Sequence, residues 1–148
     1  RAKNVQVNLC QILEETSGLF NKGNVEIKLD FSIIKEAIIF ADKEQIQRVF
    51  INLVKNGIQA VPDNGSVQII ISLTKKENSF VVEVKDNGSG VPANVQDKLF
   101  SPNFTTKSSG MGLGLSIAKN SIESAGGNIW FKTLANKGSS FYVKLPEL

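Results

Sequence analysis

This sequence predicts an α/β fold of the α+β kind: a two-layer sandwich with about three helices packed on one face of a mixed, mainly antiparallel sheet. Three observations predict it. Apolar residues recur at helical spacing in three stretches, and they alternate in five or six shorter runs. The two kinds of element also follow one another without the regular alternation that builds a doubly wound parallel sheet. The 148 residues, 41% hydrophobic and 21% charged, suffice for one domain with its own core, and the whole of 1–148 reads as a single unit.

Taken in order, Asn8 to Phe20 reads as a helix, because Leu9, Ile12, Leu13 and Phe20 share one face and Gly23 can close its end. Two extended runs follow, Val25 to Phe31 and Ala37 to Phe40. In the first, Val25, Ile27, Leu29 and Phe31 alternate with charged residues. Asp42 then opens a long helix, with Gln45 at capping-box spacing and a stripe of Ile46, Val49, Phe50, Leu53 and Gly57. Pro62 and Gly65 punctuate its end. Strands Val67 to Leu73 and Phe80 to Val84 flank the polar Lys75-Lys76-Glu77-Asn78, which suggests a hairpin. Asn94 to Phe100 reads as a short helix, and Ser101 to Gly110 as a loop without a period. A third helix carries Leu115, Ala118, Ile122 and Ala125 and stops at Gly126-Gly127. Strands Asn128 to Thr133 and Ser140 to Leu145, joined by Asn136-Lys137-Gly138, close the chain. In the last strand Phe141, Val143 and Leu145 point one way.

Composition excludes several kinds of chemistry. There is no histidine, so no histidine ligand, base or phosphoacceptor lies within these residues. The single cysteine, Cys10, leaves neither an intrachain disulfide nor a thiolate cluster for zinc. The net charge of +3 is carried by lysines scattered along the sequence, without the clustering of a nucleic-acid binder, so no nucleic-acid partner is expected. No apolar run approaches the ~20 residues of a membrane helix. The polar opening Arg1-Ala2-Lys3-Asn4 does not read as a signal peptide, and no direct membrane contact is expected of this domain.

Four short segments could carry chemistry. In Asn52-Leu53-Val54-Lys55-Asn56 the two asparagines project within ~40° of each other on the helix. Their amide oxygens suit Mg²⁺, and Lys55 could offset phosphate charge. Asp86-Asn87-Gly88-Ser89-Gly90-Val91 places a carboxylate at a strand end, where it can accept from an exocyclic amine, beside glycines that admit a flat ring. Leu99 to Lys107 runs from an aromatic through hydroxyls to a cation, as a lid would. Gly110, Gly112 and Gly114 alternate before a helix, whose free N–H groups favour phosphate. This last segment has neither Rossmann spacing nor the Gly-Lys-Ser/Thr ending of a P-loop. Taken singly, the four also fit a polar helix surface, a plain β-turn, a surface loop and an ordinary glycine turn.

Together, and in this order, they resemble the catalytic and ATP-binding domain of histidine kinases, in the gyrase, heat-shock chaperone, kinase and MutL superfamily. The resemblance runs from about Leu9 to Leu145 and implies the Bergerat fold. Asp42 to Ala60 is similar to the N box, Asp86 to Val91 to the first glycine box, Phe100 to Lys107 to the F box and Gly110 to Leu115 to the second. The wording of the last two looks most like sensor kinases of the nitrogen-regulation type. The resemblance implies ATP and Mg²⁺ as cofactors, with Asn56 as the metal ligand and Asn52 and Lys55 beside it. It implies that Asp86 holds the adenine amino group, with Gly88, Gly90 and Val91 shaping that pocket. Thr105, Thr106 and Lys107 would come from the lid, and Gly110, Met111, Gly112, Leu113, Gly114 and Leu115 would wrap the phosphates. Ser139 or Ser140, with Ser140 preferred, would reach the adenine side through water. The implied partners are a histidine-bearing dimerisation domain of the same protein and a response regulator receiver domain. The implied location is cytoplasmic, within a parent that can be anchored in the inner membrane. Lacking histidine, the chain cannot phosphorylate itself on that residue.

Two departures matter. Gly57 stands where the family usually has alanine, at a cost of roughly 1 kcal/mol in a helix interior. Asn52 stands where ATP-hydrolysing members and serine kinases of the superfamily carry a glutamate general base, and an amide takes no proton near neutral pH. That disfavours a serine kinase or an ATP-driven clamp. A nucleotide-sensing module without phosphotransfer is the remaining rival.

Overall fold

The computed structural model describes residues 3–63, 65–101, 111–134 and 136–148. In chain order its elements are β1 (Asn4–Asn8), α1 (Leu9–Phe20), β2 (Val25–Asp30), β3 (Ile38–Asp42), α2 (Lys43–Gln59), β4 (Val67–Lys76), β5 (Ser79–Asp86), a 3-10 turn at Ala93–Lys98, α3 (Met111–Ser124), β6 (Asn128–Leu134) and β7 (Gly138–Pro146). Five strands form one sheet in the order β2-β4-β5-β7-β6. β2 and β4 run parallel, and the other pairs are antiparallel. All three α-helices contact one another or the sheet on a single side, so the predicted two-layer sandwich is the observed one.

The helices begin and end for local reasons. Asn8 caps α1 by accepting from the Cys10 N–H at 3.1 Å, and Asp42 caps α2 by accepting from the Gln45 N–H at 3.2 Å. The Lys3 N–H also donates to Asp42, at 2.9 Å, and these bonds hold that carboxyl below its ordinary value. At the end of α3, Gly126 adopts φ +84°. Its N–H donates to Glu123 O and that of Gly127 to Ile122 O, the Schellman arrangement that only an unencumbered Cα takes without strain.

The core lies between the helices and the inward side of the sheet. Period-two alternation turns Ile69, Ile71 and Leu73 of β4, Val82 and Val84 of β5, and Phe141, Val143 and Leu145 of β7 inward, all buried. Phe50, Leu53 and Val54 of α2 meet them, as do Leu115, Ala118 and Ile122 of α3. On the outward side Trp130 and Tyr142, directly paired across β6 and β7, stack with centroids 5.3 Å apart.

Some sequence expectations need correcting. The strand β1 was not foreseen. It pairs with β3 as a separate two-stranded antiparallel ribbon, which makes seven strands among the described residues instead of five or six. Only Val7 of β1 is buried, so the period there is too weak to announce a strand. The predicted Ala37–Phe40 strand starts one residue later and ends two residues later. β2 is an edge strand, and its Leu29 stays 38% exposed despite the alternation. The β4–β5 hairpin turns on just two residues, Glu77 and Asn78, with Glu77 at φ +55°. The expected short helix near Asn94 is the 3-10 turn. The Ser101–Gly110 loop lies outside the described residues from 102 onward.

Phe50 has no exposed surface and sits where α2 faces the sheet. Phe50→Ala is expected to lower unfolding free energy by about 3–5 kcal/mol, read as a reduced urea midpoint with an unchanged slope.

Candidate nucleotide-binding site

The alternation that buries Phe80, Val82 and Val84 of β5 also turns Asp86 inward, where it is 4% exposed. Asp86 Oδ1 accepts from the Gly88 N–H at 2.8 Å and from the Ser139 N–H at 3.2 Å. Burial pushes the carboxyl above its ordinary value, against the downward pull of those two N–H groups. Oδ2 is left as the oxygen with no backbone donor among the described residues. It lies beside Gly57 of α2, where an added Cβ would stand 3.6 Å from it.

The backbones around this carboxylate approach too closely for side chains. A Cβ at Gly88 would meet the backbone of Ala60, with its oxygen at 2.6 Å. At Gly138, which has φ +94°, it would run into the Asp86 carbonyl oxygen. Asn87 extends the ladder past the end of β5, accepting from the Gln68 N–H at 2.9 Å and donating to Ser66 O at 2.8 Å. The segment from Asp86 to Val91 is therefore a loop stitched at several points, more constrained than the plain turn its Asn-Gly pair also fits. A Cβ at Gly57 would come within 2.8 Å of Ile69 Cδ1 and 3.2 Å of Asp86 Cβ, so the bare Cα lets α2 settle onto the sheet at this point.

Asn56, one helical turn after Asn52, is 4% exposed, and its Nδ2 is buried without a hydrogen-bond partner among the described residues. A buried donor left unpaired costs about 1–3 kcal/mol, so the position fits a polar group from outside the chain. An amide offers an oxygen to a hard cation and an N–H to an anionic oxygen, so Asn56 fits Mg²⁺ with phosphate as its surroundings. Asn52 packs against α3, where a Cβ at Gly114 would run into its amide. The two asparagine-bearing and glycine-bearing segments are thus brought together on α2 and α3.

Other expected site residues fall elsewhere. Ser140 is turned to the outward side of the sheet, where its hydroxyl donates to Glu83 Oε2 at 2.6 Å; alternation along β7 gives the inward place to Ser139. The preference for Ser140 is corrected accordingly. The side chain of Leu115 is fully buried in the core, and Lys55 projects into solvent from the next position round α2. Gly90 adopts φ +86°, and the half-buried Val91 donates its N–H to Thr133 Oγ1 at 2.8 Å. The backbone at Met111, Gly112 and Leu113 forms the first turn of α3. Thr105, Thr106, Lys107 and Gly110 lie outside the described residues. Thr133 was not singled out from the sequence, although its cross-strand pairing with Ser139 puts two hydroxyls on the inward face.

Residues 41–148 match the family described as histidine kinase-, DNA gyrase B-, and HSP90-like ATPase. The chain belongs to this family. Among curated relatives of this ATPase domain, sporulation kinase A of Bacillus subtilis is 38% identical over 146 residues, 95% of this chain and 23% of that protein. The sensor protein FixL of Bradyrhizobium diazoefficiens is 36% identical, over 94% of this chain and 28% of that protein. The chain therefore spans about a quarter of the length of these two relatives. The solved catalytic domain of the histidine kinase ThkA, in a nucleotide-free form, superposes with a TM-score of 0.85 at 33% identity, covering 98% of this chain and 96% of that one. The expectation of a histidine kinase-type ATPase domain is borne out.

The buried carboxylate gives a pH-dependent prediction. A carboxyl raised in the folded state binds protons more tightly there than when unfolded. Its contribution is therefore full at pH below the ordinary carboxylate value and is lost as pH rises through the folded one. Asp86→Asn removes this dependence. Urea unfolding should show the variant gaining stability relative to the parent as pH rises from the ordinary carboxylate range to neutrality. A difference that stays flat across that range would refute the assignment.

Proposed function

We propose that this domain binds ATP·Mg²⁺ and donates the γ-phosphoryl group to a histidine on a separate dimerisation domain of the same protein, within two-component signalling. The observation that carries the reading is Asp86. It is a buried carboxylate with one oxygen held by two backbone N–H groups, beside Gly57, the residue after Asn56, whose buried amide N–H has no partner among the described residues. Oδ2, the oxygen those N–H groups leave free, accepts from the adenine amino group, with Gly88, whose bare Cα lies against Ala60, and Gly90 shaping the loop beside it.

Asn56 would hold Mg²⁺, which offsets phosphate charge when bound, with Asn52 beside it. The segment through Gly110, Gly112 and Gly114, at the start of α3, would wrap the phosphates with its N–H groups, and Thr105, Thr106 and Lys107 would cover them. Within this chain, catalysis is positioning and charge neutralisation. The attacking group is the imidazole nitrogen of the separate domain, which bonds to the γ-phosphorus as ADP departs. Asn52 supplies no base, consistent with an acceptor that is itself nucleophilic. The phosphoryl group would then pass to an aspartate of a response regulator receiver domain. The solved complex of ThkA with the response regulator TrrA, whose kinase chain aligns at 27% identity and a TM-score of 0.79, supports a partner of that kind. A cytoplasmic placement follows from the same reading, within a parent that can be membrane-anchored; among the described residues no helix is long and apolar enough to cross a membrane.

Calorimetric titration with a non-hydrolysable ATP analogue, with and without Mg²⁺, tests this. Saturable binding is expected, weakened about tenfold or more by Asp86→Asn. Asn56→Ala is expected to remove the dependence on Mg²⁺. Folded protein that binds no nucleotide would overturn the reading. Binding without phosphorylation of an added histidine-bearing domain would favour a nucleotide-sensing module instead.

A further inference from the structure

Thr133 lies at the inward end of β6, half-buried, and its one hydroxyl makes three hydrogen bonds. Oγ1 accepts from the Val91 N–H at 2.8 Å and from Ser139 Oγ at 2.9 Å, and donates to Gly138 O at 3.4 Å. A hydroxyl has one proton and two lone pairs, so its capacity is fully used. Each partner belongs to the surroundings of Asp86. Ser139 donates its N–H to Asp86 Oδ1. The Cα of Gly138 lies against the Asp86 carbonyl. Val91 ends the loop that Asp86 begins. A further bond, from the Asn136 N–H to Ser89 O at 2.8 Å, fastens the same loop to the β6–β7 turn.

We infer that Thr133 is a positioning residue for nucleobase recognition: it fixes both ends of the Asp86–Val91 loop and, through Ser139, the orientation of the Asp86 carboxylate. This rests on the reading of Asp86 as acceptor for the adenine amino group. Thr133 itself need not touch the nucleotide. Its hydroxyl sets which carboxylate oxygen is tied to backbone and which is free, so it acts on selectivity between bases more than on binding of the phosphates. Hydrogen-bonded networks of this kind couple their members, and loss of one link loosens the others.

The test compares ADP with IDP, whose hypoxanthine carries a carbonyl in place of the amino group. Calorimetric Kd values are taken for both ligands on the parent, Thr133→Val, Thr133→Ser and Ser139→Ala, with thermal unfolding of each nucleotide-free variant measured alongside. The parent should prefer ADP. Valine, which matches threonine in shape without the hydroxyl, should reduce that preference by about tenfold, and serine should restore it to within about twofold. Ser139→Ala cuts the same link from the other side while keeping the Ser139 N–H. It should give an intermediate loss, and it carries the test if the valine variant does not fold. A purely structural role lowers both affinities together and leaves their ratio unchanged; that result, with the parent still preferring ADP, overturns the inference alone. A parent that does not distinguish the two ligands overturns the adenine reading and this inference with it.

Discussion

The burial of one carboxylate organises this end of the molecule. Taking Asp86 out of water costs free energy that two backbone N–H bonds only partly offset, as its raised pKa indicates. Those bonds require β7 and the following loop to lie within hydrogen-bond reach. Such an approach is possible only where Gly88 and Gly138 carry no side chain. A buried carboxylate, two glycines and the pairing of β5 with β7 are thus one constraint expressed at several positions.

The helices answer to the same centre. α2 buries its apolar stripe against β4 and β5, and that stripe ends at Gly57, directly over Asp86. One residue earlier the same helix delivers Asn56, whose buried Nδ2 has no partner among the described residues. α3 then seats Gly114 against Asn52. The residues read as chemically important therefore lie at close approaches of helix to sheet and of helix to helix, and the packing that stabilises the fold sets the geometry of the site.

Much of this was legible in the sequence because strong periods coincide with strong local signals. Ile46, Val49, Phe50 and Leu53 announce α2, Asp42 announces its start, and Gly126-Gly127 the end of α3. The alternation of Phe141, Val143 and Leu145 also contained information that was not used. Extended one step back, it assigns Ser139 to the inward face and Ser140 to the outward one. What could not be read was tertiary in origin. The ribbon of β1 and β3 depends on pairing across the whole of α1 and β2, and β1 has one buried side chain with which to signal it. The role of Gly57, an apparent departure from the family, became intelligible only when Ile69 and Asp86 proved to lie beneath it. Thr133 escaped notice because a threonine in a strand is ordinary until its partners are known.

The stacked pair on the outward face has a spectroscopic consequence. Trp130 is the chain's only tryptophan, and the thickness of the sheet separates it from the inward end of β6, where Thr133 lies three residues away. Its emission reports on the outward face of the sheet, yet it shares a strand with the hydroxyl that fastens the Asp86 loop. The indole, stacked on Tyr142 across the pair, is an intrinsic gauge of order in β6 and β7.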